Sequence, residues 1–283
     1  KPVINMALEP RNADEGKTLD EALARYAAED PTFSTALDEG TGNRIISGMG
    51  ELHLDVILER MRREYGISPR SGKPQVLLRE TVSAEGAGSG LFDRELGAAR
   101  HAGEVALTIA PRERDSGNLV ELAPALASPE DPRAAVPRAL ADEVLQGISD
   151  SLLSGQKTGY PVQDVHVTVT HIRREGVTPA GCRMAASLAV RDAMEKARTI
   201  VLEPLMDVEI VTPEESLGAS ISLFQNCGGK VERMGERGGM RYLGGIAPMR
   251  GLFGFSTALR SATQGRAGFT MRFRHFDSLQ GHA

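Results

Sequence analysis

The chain has 283 residues, is 41% hydrophobic and 25% charged, and carries a net charge of −5. These values fit a globular chain of one to three domains, and no apolar run is long enough to form a bilayer-spanning helix. With no tryptophan and only 4% aromatic residues, its cores must rest on aliphatic packing.

The opening, KPVINMALEP, has a single leading Lys and no cleavage pattern, so it does not read as a signal peptide. It has no initiator Met, as expected of a piece of a longer chain. Residues 3–9 are predicted to form a strand ended by Pro10. Thr18-Leu19-Asp20-Glu21 reads as a capping box, followed by a buried stripe of Leu19, Ala22, Leu23, Tyr26 and Ala27, and Asp30-Pro31 stops that helix. Residues 33–37 and 44–47 are predicted strands joined by a turn over 40–43. A strong amphipathic helix follows: Leu54, Ile57, Leu58, Met61 and Tyr65 share one face, Glu51 occupies the first turn, and Gly66 suits a left-handed cap. With an extended stretch from Ile67, the order is strand, helix, strand, strand, helix, strand, a split βαβ or ferredoxin-like unit. Gly16-Lys17-Thr18 imitates the tail of a phosphate-binding loop, but Arg11 stands where that loop needs its first glycine, and no NKxD follows anywhere.

Residues 75–82 are predicted to form a strand, and the glycine-rich 85–103 a long exposed loop. A strand is expected over 104–111, irregular chain over 113–132, and a helix over 134–153 with Leu140, Val144, Ile148 and Leu152 aligned. Val165, Val167 and Val169 alternate with polar residues, as in a strand with one buried face. Residues 171–181 read as a second polar loop and 183–198 as a helix with a small face, Ala185, Ala186, Ala189 and Ala193. A strand at 207–211 leads to Thr212-Pro213-Glu214-Glu215, a capping box with Pro at N1. Its helix presents Leu217, Ile221 and Phe224 and ends at Gly228-Gly229. Strands 230–234 and 240–246, a helix through Leu252, Phe255 and Leu259, and a strand over 269–276 complete a second split βαβ unit. The expected fold is α+β: ferredoxin-like domains at 1–76 and 204–283 flank a middle α+β domain at 77–203.

No HExxH, GxSxG or Cys/His nucleophile pair occurs. His53 reads as helix surface rather than a base, no metal set is expected, and Cys182 and Cys227 read as reduced structural thiols. Residues 230–274 hold nine basic residues against Glu232 and Glu236, a net +7 that leaves −12 elsewhere. That asymmetry suits a polyanion partner at this end, and equally a solvated charged face.

The run GMGELHLDVILERMRREYG, followed by SGKPQVLLRETV, resembles the third domain of elongation factor G and the start of its fourth. IVLEPLM at 200–206, VEIVTPEESLGA at 208–219 and TALRSATQGRAGFTMRF at 257–273 resemble the end of domain IV and domain V, so the resemblance covers nearly the whole chain. It implies domains III, IV and V of a cytoplasmic translational GTPase, with a middle domain of the left-handed βαβ type shared with some ribosomal proteins. The implied role is ribosome binding that promotes tRNA and mRNA translocation, with ribosome recycling or ribosomal protection as alternatives and no membrane or DNA partner. GTP and Mg would belong to the G domain that precedes domain III in the family, so this chain is expected to need no cofactor and to hydrolyse no GTP by itself. A reading from another class is a ferredoxin-like regulatory protein binding a small ligand. The resemblance places Arg94, Arg100, His101, His171, Arg173 and Arg174 in two tip loops, 90–103 and 171–181, facing tRNA and mRNA at the decoding region. It places Arg233, Arg237 and Arg241 against ribosomal RNA, and Ser47, Met49, Glu51 and His53 toward the chain's own G domain. Where the family has a QSGGRGQYGHV-like loop this chain has GLFDRELGAARHAGEV, and its second tip segment is shorter, as in a divergent paralogue.

Overall fold

The computed structural model describes residues 2–38, 41–96, 99–127 and 135–278. The chain forms two compact units, one of residues 1–77 with 203–275 and one of residues 78–202 with 276–283.

The N-terminal part of the first unit comprises β1 (Ile4–Glu9), α1 (Ala13–Glu29), β2 (Ser34–Leu37), β3 (Arg44–Gly48), α2 (Glu51–Arg60), β4 (Arg70–Ser71) and β5 (Gln75–Val76). The sheet order is β2-β3-β1-β4, with β5 also on β1, and every pairing is antiparallel. This is the split βαβ topology expected from the element order. The first helix begins earlier than its sequence suggests. Asn12 is the N-cap, its side chain accepts from Glu15 N, and the Glu15 carboxylate accepts in return from Arg11 N. That reciprocal cap displaces the one expected at Thr18, which lies mid-helix with its hydroxyl donating to Asp14 O. Gly16-Lys17-Thr18 is therefore helical, and Gly16 N donates to Asn12 O at 3.0 Å, so this segment has no free amides with which to cradle a phosphate. The face of α2 packs as expected through Leu54, Ile57 and Met61, while Leu58 and Tyr65 are partly buried. The helix widens into a single π turn, Met61–Tyr65, before Gly66 closes it at φ 67°.

The middle unit contains β6 (Arg79–Val82), β7 (Gly86–Leu96), β8 (Ala99–Pro111), β9 (Leu119–Leu122), α3 (Pro124–Ala127), α4 (Arg138–Leu152), β10 (Val165–Ile172) and α5 (Pro179–Lys196). Its sheet runs β7-β8-β10-β9, with β9 parallel to β10. Four expectations change here. The stretch 75–82 is two short strands: β5 joins β1, and β6 pairs with residues 199–202, the start of β11 (Thr199–Thr212). The supposed loop 85–103 is mostly a hairpin of β7 with β8. Its alternating glycines are a packing surface rather than a sign of disorder: a Cβ on Gly86 would meet Ala193 O at 2.5 Å, and on Gly88 and Gly90 would meet the carbonyls of Ala189 and Ala185. The small face of α5 thus sits directly on the strand backbone. Residues 113–132 include β9, which pairs His166↔Leu119 through Val169↔Leu122. Finally, β10 continues through Ile172, and α5 starts at Thr178-Pro179, where the Thr178 side chain accepts from Gly181 N.

The C-terminal part of the first unit follows from β11 through a 3-10 turn (Glu214–Ser216) to α6 (Leu217–Asn226), β12 (Lys230–Arg237), β13 (Met240–Pro248), α7 (Phe255–Ala262) and β14 (Gly268–Asp277). The order β12-β13-β11-β14 repeats the first topology. Thr212 ends the strand instead of capping the helix, and its hydroxyl accepts from Ser220 Oγ. The β12–β13 turn is narrower than expected, being made by Gly238 and Gly239 at φ 61° and 76°, a pair of left-handed residues suited to a tight hairpin.

Candidate nucleic-acid interface

In the middle unit, the β7–β8 hairpin extends past the end of β10, with pairing out to Leu96↔Ala99. The chain leaving β10 lies along the same end of β8: Arg173 N donates to Glu104 O and Thr178 N to Ala102 O. The two segments named from sequence therefore do meet at one end of the sheet. Arg94 and His101 are register partners on the hairpin, and His101 Nδ1 lies 3.4 Å from Thr178 Oγ1. His171 is not in a loop, because it pairs with Ala106 within β10, next to a bulge.

The charge of this end differs from the expected cationic tip. Arg94, Arg100, Arg173 and Arg174 are matched in number by Asp93, Glu95, Glu104 and Glu175. Arg100 forks onto Asp93, with Nη2 at 2.5 Å from one oxygen and Nε at 2.7 Å from the other. The Arg100 hydrogen bond, backed by the charges of Arg100 and Arg173, holds the Asp93 carboxyl below the usual carboxylate range. Arg173 lies 3.8 Å from Glu104. Both pairs are solvent-exposed, and such pairs open at little cost when a stronger anion arrives.

In the C-terminal sheet, Arg233 pairs with Asp207 at 3.2 Å, and Arg241 pairs with Glu214 and lies 3.8 Å from Glu236. Arg274 pairs with Glu232 at 3.0 Å and Arg266 with Glu215 at 2.5 Å. Carboxylates from residues 207–215 thus fold back onto the basic segment. Residues 204–283 hold nine basic residues against seven acidic ones, so the local excess is far smaller than the linear run suggests. Of Arg233, Arg237 and Arg241, Arg237 alone is exposed without an ion pair among the described residues.

Ser47, Met49, Glu51 and His53 cluster where β3 turns into α2. Met49 N donates to His53 Nδ1 at 3.1 Å, so the ring proton sits on Nε2, which reaches Asp30 Oδ2 at 3.1 Å. With both nitrogens engaged, His53 has no lone pair left for base chemistry. Glu51 accepts from Gly254 N at 3.2 Å. Met49, Glu51, Leu52 and His53 line a recess of about 600 Å³ together with Met249, Arg260 and Met271. Leu52 and Val56, one turn apart on α2, are 71% and 50% exposed. Among the described residues no three His, Cys, Asp or Glu side chains converge as metal ligands would, and no helix is long and apolar enough to cross a membrane.

Three domain models match in succession: Elongation Factor G domain III over residues 1–73, domain IV over 74–198, and the elongation factor G C-terminus over 200–283. The chain is 39% identical over 279 residues to Elongation factor G 2 of Syntrophus aciditrophicus, covering 98% of this chain and 40% of that protein. It is 38% identical over 281 residues to Elongation factor G 1 of Treponema denticola, covering 98% and 41%. A crystal structure from Thermus thermophilus superposes with a TM-score of 0.74 at 26% identity, over 100% of this chain and 41% of the other. The chain thus spans about two fifths of the length of the relatives it matches.

Proposed function

The chain belongs to the elongation factor G family, and from that premise we propose that it is the ribosome-engaging portion of a translation factor that promotes movement of tRNA and mRNA. The observation that carries this reading is the unbroken succession of three domain matches, in one order, over nearly every residue. GTP binding and hydrolysis, with Mg, are assigned to a part of the parent outside these residues. In keeping with that, the one phosphate-loop-like segment here is helical, and the relatives are more than twice as long.

In this reading the hairpin end of the middle unit enters the decoding region. Arg94, Arg100, His101, His171, Arg173 and Arg174 supply donors to RNA, the two exposed ion pairs exchanging carboxylate for phosphate on contact. Arg233, Arg237 and Arg241 face ribosomal RNA. Ser47, Met49, Glu51 and His53, beside the exposed Leu52 and Val56, offer the surface toward the parent's G domain. The test is a single-round assay on the full-length parent carrying Arg173→Ala and Arg174→Ala. Slower tRNA–mRNA movement with unchanged GTP hydrolysis is expected. Unaltered movement with slowed subunit splitting would assign the chain to ribosome recycling instead.

A further inference from the structure

Outside the hairpin end, the middle unit carries a second cationic feature. Arg191, Met194, Glu195 and Arg198 follow one another at helical spacing along α5 and just past its end, and with Lys157 and Thr199 they border a recess of about 440 Å³. Met194 is fully buried and forms the floor, while both arginines are exposed.

Two observations show that the exposed Arg191 and Arg198 side chains are not needed by the fold, and a third that the recess is pre-shaped. First, the carbonyls at the end of α5 already have donors. Thr199 Oγ1 donates to Met194 O, Ala84 N to Ala197 O, and Ser83 N and Oγ both to Arg198 O. Second, Arg191 and Arg198, like Arg94, make neither an ion pair nor a side-chain hydrogen bond among the described residues, whereas Arg100, Arg114, Arg138, Arg173 and Arg183 in the same unit are ion-paired and Arg79 and Arg112 donate to backbone carbonyls. Third, the site is held in shape from below. Buried Glu80 accepts from Lys157 N, Thr158 N and Thr158 Oγ1, which fixes the turn that carries Lys157. Arg198 is set in the left-handed region at φ 55°. Lys157 Nζ donates to Thr199 O at 3.2 Å, leaving its other protons for a ligand.

Three like charges around one recess repel each other unless an anion joins them, and Glu195 alone leaves the group at net +2. Arginine forks suit phosphate, and the apolar stems of the exposed arginines suit a ribose beside it. We propose that this recess binds the phosphodiester backbone of an RNA strand. The inference does not need the ribosomal reading, and the two fail separately.

The probe is a fluorescent single-stranded RNA of about twelve nucleotides, with anisotropy measured on the full chain from about 50 to 200 mM salt. Arg191→Glu with Arg198→Glu should weaken binding at least about tenfold and reduce the salt slope by about 1.4, at about 0.7 per phosphate contact. Arg138→Glu, a surface control, should change neither by as much. Both replaced side chains are exposed, so the variant should keep its melting temperature. Three results would overturn the proposal: no binding by the unaltered chain at the lowest salt, equal binding by the double variant, or equal binding of a polyglutamate of matched charge. The last would reassign the recess to an acidic protein segment. RNA binding through these residues by a chain that ignores ribosomes would leave this inference standing and remove the functional one.

Discussion

At the scale of single residues, the sharpest constraint is the absence of side chains at Gly86, Gly88 and Gly90 along one face of β7. Gly88 faces the α5 backbone so closely that a methyl group would meet Ala189 O and Ala193 N. Gly88→Ala should therefore cost about 1–3 kcal/mol through overpacking. Gly218, in α6 with nothing within 4 Å of an added methyl, should accept Ala with a small gain of about 0.4–1 kcal/mol. Chemical denaturation of both variants checks the contrast. Glu203 tests burial of charge. Its carboxylate is buried, Oε2 accepts no hydrogen bond among the described residues, and Arg250 Nε lies 3.2 Å away without hydrogen-bond alignment. Burial raises its pKa, and Arg250 offsets that only in part. A carboxyl raised in the folded state binds its proton more tightly there than in the unfolded chain. Its contribution is thus complete below the unfolded value of about 4.3 and is lost as pH rises through the folded one. Glu203→Gln should accordingly raise stability at neutral pH by an amount on the order of 1 kcal/mol and leave it nearly unchanged at low pH. A melting series across pH reads both.

At the scale of elements, the buried stripe of α2 separates into two classes. Met61 is fully buried beside Leu54 and Ile57, whereas Leu58 is only partly covered. Met61→Ala should cost about 2–5 kcal/mol and Leu58→Ala distinctly less, as measured by urea midpoints. Elements with a clear hydrophobic period are readable from sequence, and both split βαβ orders follow from them. The departures share a physical cause. Alternating glycines in β7 look like loop chemistry, because the feature that explains them is the alanine face of α5, about a hundred residues away in sequence. The Thr18 cap loses to Asn12-x-x-Glu15, an equally good box that lies earlier in the chain. Thr212 satisfies the same pattern but is claimed by a strand that β13 extends to that residue.

At the scale of the whole molecule, linear charge is a poor guide to surface charge. The +7 run of residues 230–274 faces Asp207, Glu214 and Glu215, and the hairpin end carries as many acids as bases. Sequence spacing brings the named residues to that end but gives no sign of the pairings, which form only once β7 and β8 are in register. Arg191, on the surface of α5, and Arg198, just past its end, are illegible in the sequence for the opposite reason: they are ordinary exposed arginines until the Glu80-held turn places Lys157 beside them. In the proposed role, Arg237, exposed on β12 and without an ion pair among the described residues, is one electrostatic contact with the ribosome. The most direct measurement is equilibrium binding of the chain to purified ribosomes across a salt titration, repeated with Arg237→Glu and with Arg241→Glu. We expect affinity to fall linearly on a log–log plot. Arg237→Glu should weaken binding and lower the slope by roughly 1, and Arg241→Glu, whose partner Glu214 already occupies it, should do less. Absence of binding, or affinity indifferent to salt and to Arg237, would rule out ribosome engagement through this sheet.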